Sequence, residues 1–301
     1  MWSAPTERPA RPVWPAWRTR LTTPHGLWLG NGGVWDIGPL PGWHPFGAHP
    51  AQRGAPVHHA SFEAWCQAHA GRACNLVLSG WLVHELLLDR DLPLADDPAR
   101  LTYARGVLRH YHGEPAQQWP LAAWQAAGRR GISALHAVSL HTLQAQARQA
   151  GVGLRSVRPW WSVALALALQ QWPPLASAEA ARLLVVDGRL VTQIDLTRGA
   201  LVGLRQRRLA VATLEALYTL AALADDASGM VCCALGHGLL LPAAGGATLP
   251  GLGITVLGSL HGETPAAWWA LPADERRAGV GMSLSGRPRD EFTAMRSTEV
   301  A

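Results

Sequence analysis

Hydrophobic and polar positions along this chain fall into short blocks whose period changes. Ile132–Ser139 and Val152–Val157 are brief runs with β-branched residues and alternation, which predicts strands. Between them Leu140–Ala150 is rich in Gln and Ala, with Leu140 and Leu143 on one face. It predicts a helix closed by Gly151, where a left-handed backbone is wanted. Arg158-Pro159 breaks the pattern, and Trp160–Gln171 is almost wholly apolar, as in a helix buried on every side. Strand, helix and strand in that order predict a right-handed crossover within an α/β domain.

The reading extends to both sides. Leu21–Ile37 predicts a hairpin, with Asn31-Gly32 supplying the positive φ pair of a tight turn. Ser61–Ala70 predicts a short helix capped by Ser61. Cys74–Leu88 is a long extended apolar stretch broken at Ser79-Gly80, and strand alternation sends His84 and Glu85 to opposite faces. Asp96–His112 predicts a helix with Asp97 as N-cap, Pro98 at its start and Leu101, Val107 and Leu108 facing inward. Trp119–Ala126 predicts a strand beside Ile132–Ser139. After the break at Trp172-Pro173-Pro174, Arg182–Arg208 predicts a three-stranded meander turning at Asp187-Gly188 and Arg198-Gly199. A helix over Leu209–Ala224, a buried strand over Met230–Leu235, a Gly236-His237-Gly238 turn and a last strand at Ile254–Leu257 complete the body. The expected organisation is an arm over 1–20, lobes over 21–174 and 175–272, and a mobile tail over 273–301.

Composition narrows the function. An apolar content of 49% supports a large core, and a charged content of 16% excludes a disordered chain. The net charge of +5 comes from arginine alone, because the sequence has no lysine. That removes a Walker-type phosphate lysine and a Schiff-base lysine. Cys66, Cys74, Cys232 and Cys233 lack metal spacing and predict reduced thiols in a cytoplasmic protein. No stretch of ~18 apolar residues is present, so no span is expected, and at most a peripheral place at the inner membrane. The arm is rich in Pro and Arg and carries Trp2, Trp14 and Trp17, which either pack on the body or dock a partner. His44, His49, His58 and His59 crowd one loop that has no Cys or acid, so no metal site is expected there.

The central order of signals resembles the actin-like-fold assembly proteins of bacterial secretion and pilus machines, the cytoplasmic part of GspL and PilM among them. Ala137, Val138, Leu143, Ala150, Gly151, Pro159, Leu165 and Leu167 carry the match, and the Arg182–Arg208 meander is a second point of likeness. The resemblance implies a two-lobed actin-like (ribonuclease H-like) α/β fold. It also implies partners among the inner-membrane proteins of a type IV pilus or type II secretion-like platform, offered as a cytoplasmic peptide, and a cytoplasmic ATPase.

In nucleotide-binding members of this fold the first hairpin turn carries an acid and a phosphate loop, and a Gly-rich turn in the second lobe touches adenosine. Here those turns are Gly30, Asn31, Gly32 and Gly33, with no acid or hydroxyl, and Gly236, His237 and Gly238. Asp187 reads as a turn former. The expectation is a degenerate site with no cofactor, no metal and no catalytic residue, and hence a scaffold rather than an enzyme. The rival reading is an eroded nucleotide-binding small-molecule kinase of the same fold. The expected partner seat is the second half of the Cys74–Leu88 stretch taken as an edge strand, with Leu82, Val83, His84 and Leu86 receiving an added strand and Arg105 and Arg109 selecting the peptide's flank. No clustered basic face calls for a nucleic acid.

Overall fold

The computed structural model describes residues 24–38, 56–222, 230–240, 253–257 and 260–262. The expected arm, the expected tail, His44 and His49 lie outside them. Lobe one opens with β1 (His25–Gly30) and β2 (Gly33–Gly38), to which β3 (Val57–His59) adds. Helix α1 (Phe62–Ala68) starts where the Ser61 hydroxyl accepts the Ala64 N–H at 3.1 Å. β4 (Ala73–Leu78) follows, and a 3₁₀ turn over Gly80–Leu82 leads into β5 (Val83–Leu87). Then come α2 (Asp97–His112), β6 (Leu121–Ala126), β7 (Arg129–Leu135), α3 (Leu140–Gln149), β8 (Gly153–Pro159), α4 (Trp160–Gln171) and α5 (Pro173–Ser177). Lobe two contains β9 (Ala181–Asp187), β10 (Leu190–Thr197), β11 (Ala200–Arg208), α6 (Leu214–Ala222), β12 (Val231–His237) and β13 (Ile254–Val256).

The lobes repeat one sheet. Lobe one has the order β3-β2-β1-β4-β8 and lobe two β11-β10-β9-β12-β13. In each, an antiparallel meander places its first strand at the centre, and two later strands run parallel to it. This repeated order is the two-lobed actin-like arrangement expected from the sequence. Lobe one also carries a small antiparallel sheet, β5-β7-β6. Helix α4 packs against β4 of lobe one and against β9 and β12 of lobe two. Its Trp160, Val163, Ala164, Leu167 and Ala168 therefore join Val77, Leu183, Val185 and Leu235 in one core. Sheets on two sides explain why most of the helix is apolar and buried, with Ala166 and Gln170 left exposed on the remaining face.

The structure corrects several local expectations. β7 and β8 lie in different sheets, so the unit around α3 is not a crossover within one sheet; the parallel neighbour of β8 is β4. β7 starts at Arg129 rather than Ile132, because Ala127 and Gly128 take positive φ (45° and 78°) and close a hairpin with β6. Ser139, expected to end that strand, caps α3 through the Thr142 N–H. In the first hairpin Gly33, not Asn31-Gly32, takes the positive φ. Asp96 is the N-cap of α2, since its carboxylate accepts the Ala99 N–H at 2.8 Å.

Candidate functional site

Two places in this fold are candidates for function: the joint between the lobes and a groove within lobe one. The joint is built around Asp187, at the end of β9. Its Oδ2 accepts the Ser79 hydroxyl at 2.5 Å and the Gly80 N–H at 2.9 Å, and its carbonyl accepts the Trp81 indole N–H at 3.0 Å. His237 Nε2 lies 3.3 Å from the other carboxylate oxygen. Ser79, Asp187 and His237 are only 1%, 5% and 3% exposed, so each depends on these partners instead of water. Burial pulls the His237 pKa below its ordinary value, against the opposing pull of Asp187 and the Val186 backbone. Gln206 donates to the carbonyls of Gly80 and Val83, at 3.3 and 3.0 Å, and Arg208 lies 4.7 Å from the Trp81 ring centre. Lobe two thus holds the Ser79–Val83 turn of lobe one from several directions.

The joint does not have the layout of a nucleophilic triad. There the imidazole sits between hydroxyl and carboxylate and takes the hydroxyl proton. Here the carboxylate sits between the other two, and the Ser79 hydroxyl points at an acid.

The Gly-rich turns have local explanations. A Cβ on Gly236 would stand 2.0 Å from the Val186 carbonyl oxygen, so glycine there permits the close approach of β12 to β9. A Cβ on Gly30 would meet the Trp28 indole at 2.6 Å. The Gly32 carbonyl lies 3.0 Å from His58 Nε2, and Trp28 meets His237 edge-on at 4.9 Å. The Trp28 indole of β1 thus touches the His237 imidazole at the end of β12.

The groove is the other candidate. It has a volume of about 430 Å³ and lies between the small sheet and the junction of β8 with α4. Strand alternation divides the faces of the small sheet. His84, Leu86, Ile132 and Ala134 turn toward α2, whose Ala104 and Leu108 complete that side. Val83, Ser133 and Leu135 of β5 and β7, Ala122 and Trp124 of β6, and Val157, Arg158 and Trp161 of β8 and α4 line the groove. Among the described residues β6 pairs only with β7, so its outer backbone edge has no strand partner among them.

The residues named from sequence separate on this division. Val83 lines the groove. Leu82 is buried in the lobe-one core, and Leu86 packs under α2. His84 stacks between His112 and His136, with centroid distances of 4.4 and 4.3 Å, and touches Trp119. Burial, helped by His136 and His112, pulls the His84 pKa down to about 4. Arg105 donates to the Gln117 carbonyl and Arg109 pairs with Glu114, so both are engaged within the chain. β5 is an edge by hydrogen bonding, as expected, but β11 of lobe two lies alongside it.

Sequence reasoning predicted the strand that contains β6 and the split of His84 and Glu85 to opposite faces, but gave none of β6, Trp124 and Glu85 a place in a site. The Ala127-Gly128 turn was the available signal for a hairpin edge. Among the described residues, no three His, Cys, Asp or Glu side chains form a group able to hold a metal ion. His25 and the Trp65 indole instead meet Asp36, at 2.9 and 3.1 Å. Burial alone would push Asp36 upward, but these partners and the Gly38 N–H hold its pKa below the ordinary value. No helix among the described residues is long and apolar enough to cross a membrane.

No protein-family profile matches the sequence, and no curated protein matches it significantly. Solved structures do. The cytoplasmic domain of EpsL, an inner-membrane component of the Vibrio cholerae type II secretion system, is 11% identical over 86% of this chain and 96% of its own, with a TM-score of 0.44. A chain of the PilM–PilN type IV pilus biogenesis complex is 13% identical over 88% and 95%, with a TM-score of 0.48. A Bacteroides thetaiotaomicron protein of actin-like ATPase fold and unknown function is 9% identical over 73% and 82%, with a TM-score of 0.44. The fold assignment rests on the repeated strand order of the two lobes.

Proposed function

We propose that this chain is a non-catalytic docking scaffold of a type IV pilus or type II secretion-like platform, working at the cytoplasmic face of the inner membrane. One observation carries the reading: among the described residues the interlobe joint is bridged by the protein's own groups, while a groove lined largely by apolar side chains lies beside an edge of β6 that has no strand partner. An edge strand next to an apolar groove suits an extended peptide, whose backbone extends the sheet while alternate side chains enter the groove. The occupant is a cytoplasmic segment of an inner-membrane assembly protein, the partner class that the sequence resemblance implies. Val83 belongs to this seat, and Arg105 and Arg109 stand outside it. A cytoplasmic ATPase would dock elsewhere on the scaffold.

Photocrosslinking in the native host tests this. A benzoylphenylalanine at Ala122, which is exposed and lines the groove, should capture the cytoplasmic segment of an inner-membrane protein, and Ala122→Trp should abolish pull-down of that protein. Arg105→Glu should leave it unchanged. If Arg105→Glu abolishes pull-down while Ala122→Trp does not, the seat is the β5–α2 side expected from sequence.

A further inference from the structure

The groove wall is held by a carboxylate that does not itself line it. In the small sheet, Glu85 pairs across with Ser133, and Ser133 with Ala122; Leu87 pairs with Gly131, and Gly131 with Trp124. Side chains of both rows lie on the groove face. Gly131 leaves its place empty, and the Trp124 indole fills it: a Cβ at Gly131 would stand 2.2 Å from the ring. Lying over that glycine, the ring reaches diagonally back to Glu85, whose Oε2 accepts the indole N–H at 3.1 Å. The Ser133 hydroxyl donates to the same carboxylate at 2.8 Å. On its other side Trp124 meets Trp161 of α4, edge to face, with centroids 5.0 Å apart. Trp124 and Trp161 both line the groove.

For stability alone an apolar residue would suit this position better, because burying a carboxylate costs solvation that neutral donors do not fully return. Glu85 is surrounded closely enough to lose most of its hydration, although part of the residue still borders solvent-sized space. Burial pushes its pKa up to about 7, against the opposing pull of the nearby Trp161 indole and of the Ser133 and Trp124 hydrogen bonds. What the carboxylate supplies is direction. It is the acceptor that fixes the Trp124 ring, which otherwise belongs to an edge strand with one neighbour.

We propose that Glu85 is a positioning residue of the groove, holding Trp124 over Gly131 and against Trp161 so that the two indoles form a fixed wall for an aliphatic side chain of a peptide strand added along β6. The inference rests on the groove being the docking seat. The occupant is an extended aliphatic segment. A volume of 430 Å³ would also suit a small molecule, but the unpaired backbone of β6 offers a line of donors and acceptors that a strand satisfies along its length.

The test uses the full chain and a defined probe, the fluorescein-labelled peptide acetyl-Gly-Val-Leu-Ile-Val-Leu-Gly-Arg, read by fluorescence polarisation. The ¹⁵N–¹H resonance of the Trp124 indole, assigned by its loss in Trp124→Phe, reports the ring's hydrogen bond. Glu85→Gln keeps an acceptor oxygen and should bind within about threefold of the parent. Glu85→Leu removes it and should shift the indole resonance and weaken binding at least about tenfold. Should Glu85→Leu fail to fold, Trp124→Phe, which keeps a ring but loses the N–H, should show the same tenfold loss. Parent-like binding by Glu85→Leu with a displaced indole resonance, or by Trp124→Phe, overturns the positioning role and leaves the groove reading standing. If the parent chain fails to bind, or Ala122→Trp binds as the parent does, the groove reading falls and this role falls with it.

Discussion

The interlobe joint and the lobe-one groove each place a buried carboxylate on a strand, yet they differ in what surrounds it. Asp187 receives donors across the lobe boundary, from Ser79 and Gly80, and faces His237 of its own lobe, so its partners knit the molecule together. Glu85 accepts from Trp124 and Ser133 of the small sheet, and Trp124 lines the groove. The two carboxylates thus act on different scales: Asp187 joins one lobe to the other, while Glu85 fixes a side chain within the small sheet of lobe one.

The comparison breaks most visibly at Asp187. Asp187→Ala leaves the Ser79 hydroxyl, the Gly80 N–H and the His237 ring buried without their acceptor, and should cost about 4 kcal/mol of stability. Urea denaturation measures the loss, and hydrogen exchange should show it concentrated in the Ser79–Val83 turn. A change below about 1 kcal/mol would mean that the lobes are held by α4 and its core alone.

At Glu85 the sign of the pH dependence is the informative quantity. Its native pKa lies near 7 against an ordinary value of 4.5, so folding favours the protonated acid. The native state carries no penalty below about pH 4.5; the penalty grows as pH rises toward 7 and is complete above it. Glu85→Gln should therefore match the parent near pH 4.5 and exceed it at pH 8 by roughly 2–3 kcal/mol. Parallel stability curves for the two proteins would place Glu85 in water at all pH values.

A smaller effect is expected on the opposite face of the same sheet. His84 has its pKa lowered to about 4, so the native state disfavours its proton. Its stabilising environment is intact above pH 6.5 and is eroded as pH falls from there toward 4. His84→Leu should remove about 1 kcal/mol of acid sensitivity, the modest size reflecting solvent screening at a half-buried ring. Denaturant midpoints at pH 5 and pH 7.5 supply the measurement. The smallest effect concerns nucleotide: calorimetric titration with Mg-ATP should give no dissociation constant tighter than about 1 mM, and a micromolar value would favour the eroded-kinase reading.

Much of the architecture was legible in the sequence for local reasons. The Asp187-Gly188 and Arg198-Gly199 turns marked the meander of β9, β10 and β11, and the apolar character of Trp160–Gln171 announced a helix that is buried except for a stripe at Ser162, Ala166, Leu169 and Gln170. Ser61 and Gly151 marked helix ends because caps and left-handed residues act within a few positions. Strand alternation alone separated His84 from Glu85, and the structure places them on opposite faces of β5.

Only the tertiary structure decided which surfaces remain available. No spacing rule joins Ser79 to Asp187, 108 residues apart, or Trp124 to Glu85, 39 apart. Both pairs arise from sheet pairing and lobe packing, which assign partners by position in space. The sequence presented Asp187 as a turn residue and Leu82–Leu88 as an open edge. The fold turned the first into the joint between the lobes and laid β11 beside the second, leaving the free edge to β6. Local periodicity reports which face of an element is apolar, but what covers that face is set by residues far away in the chain.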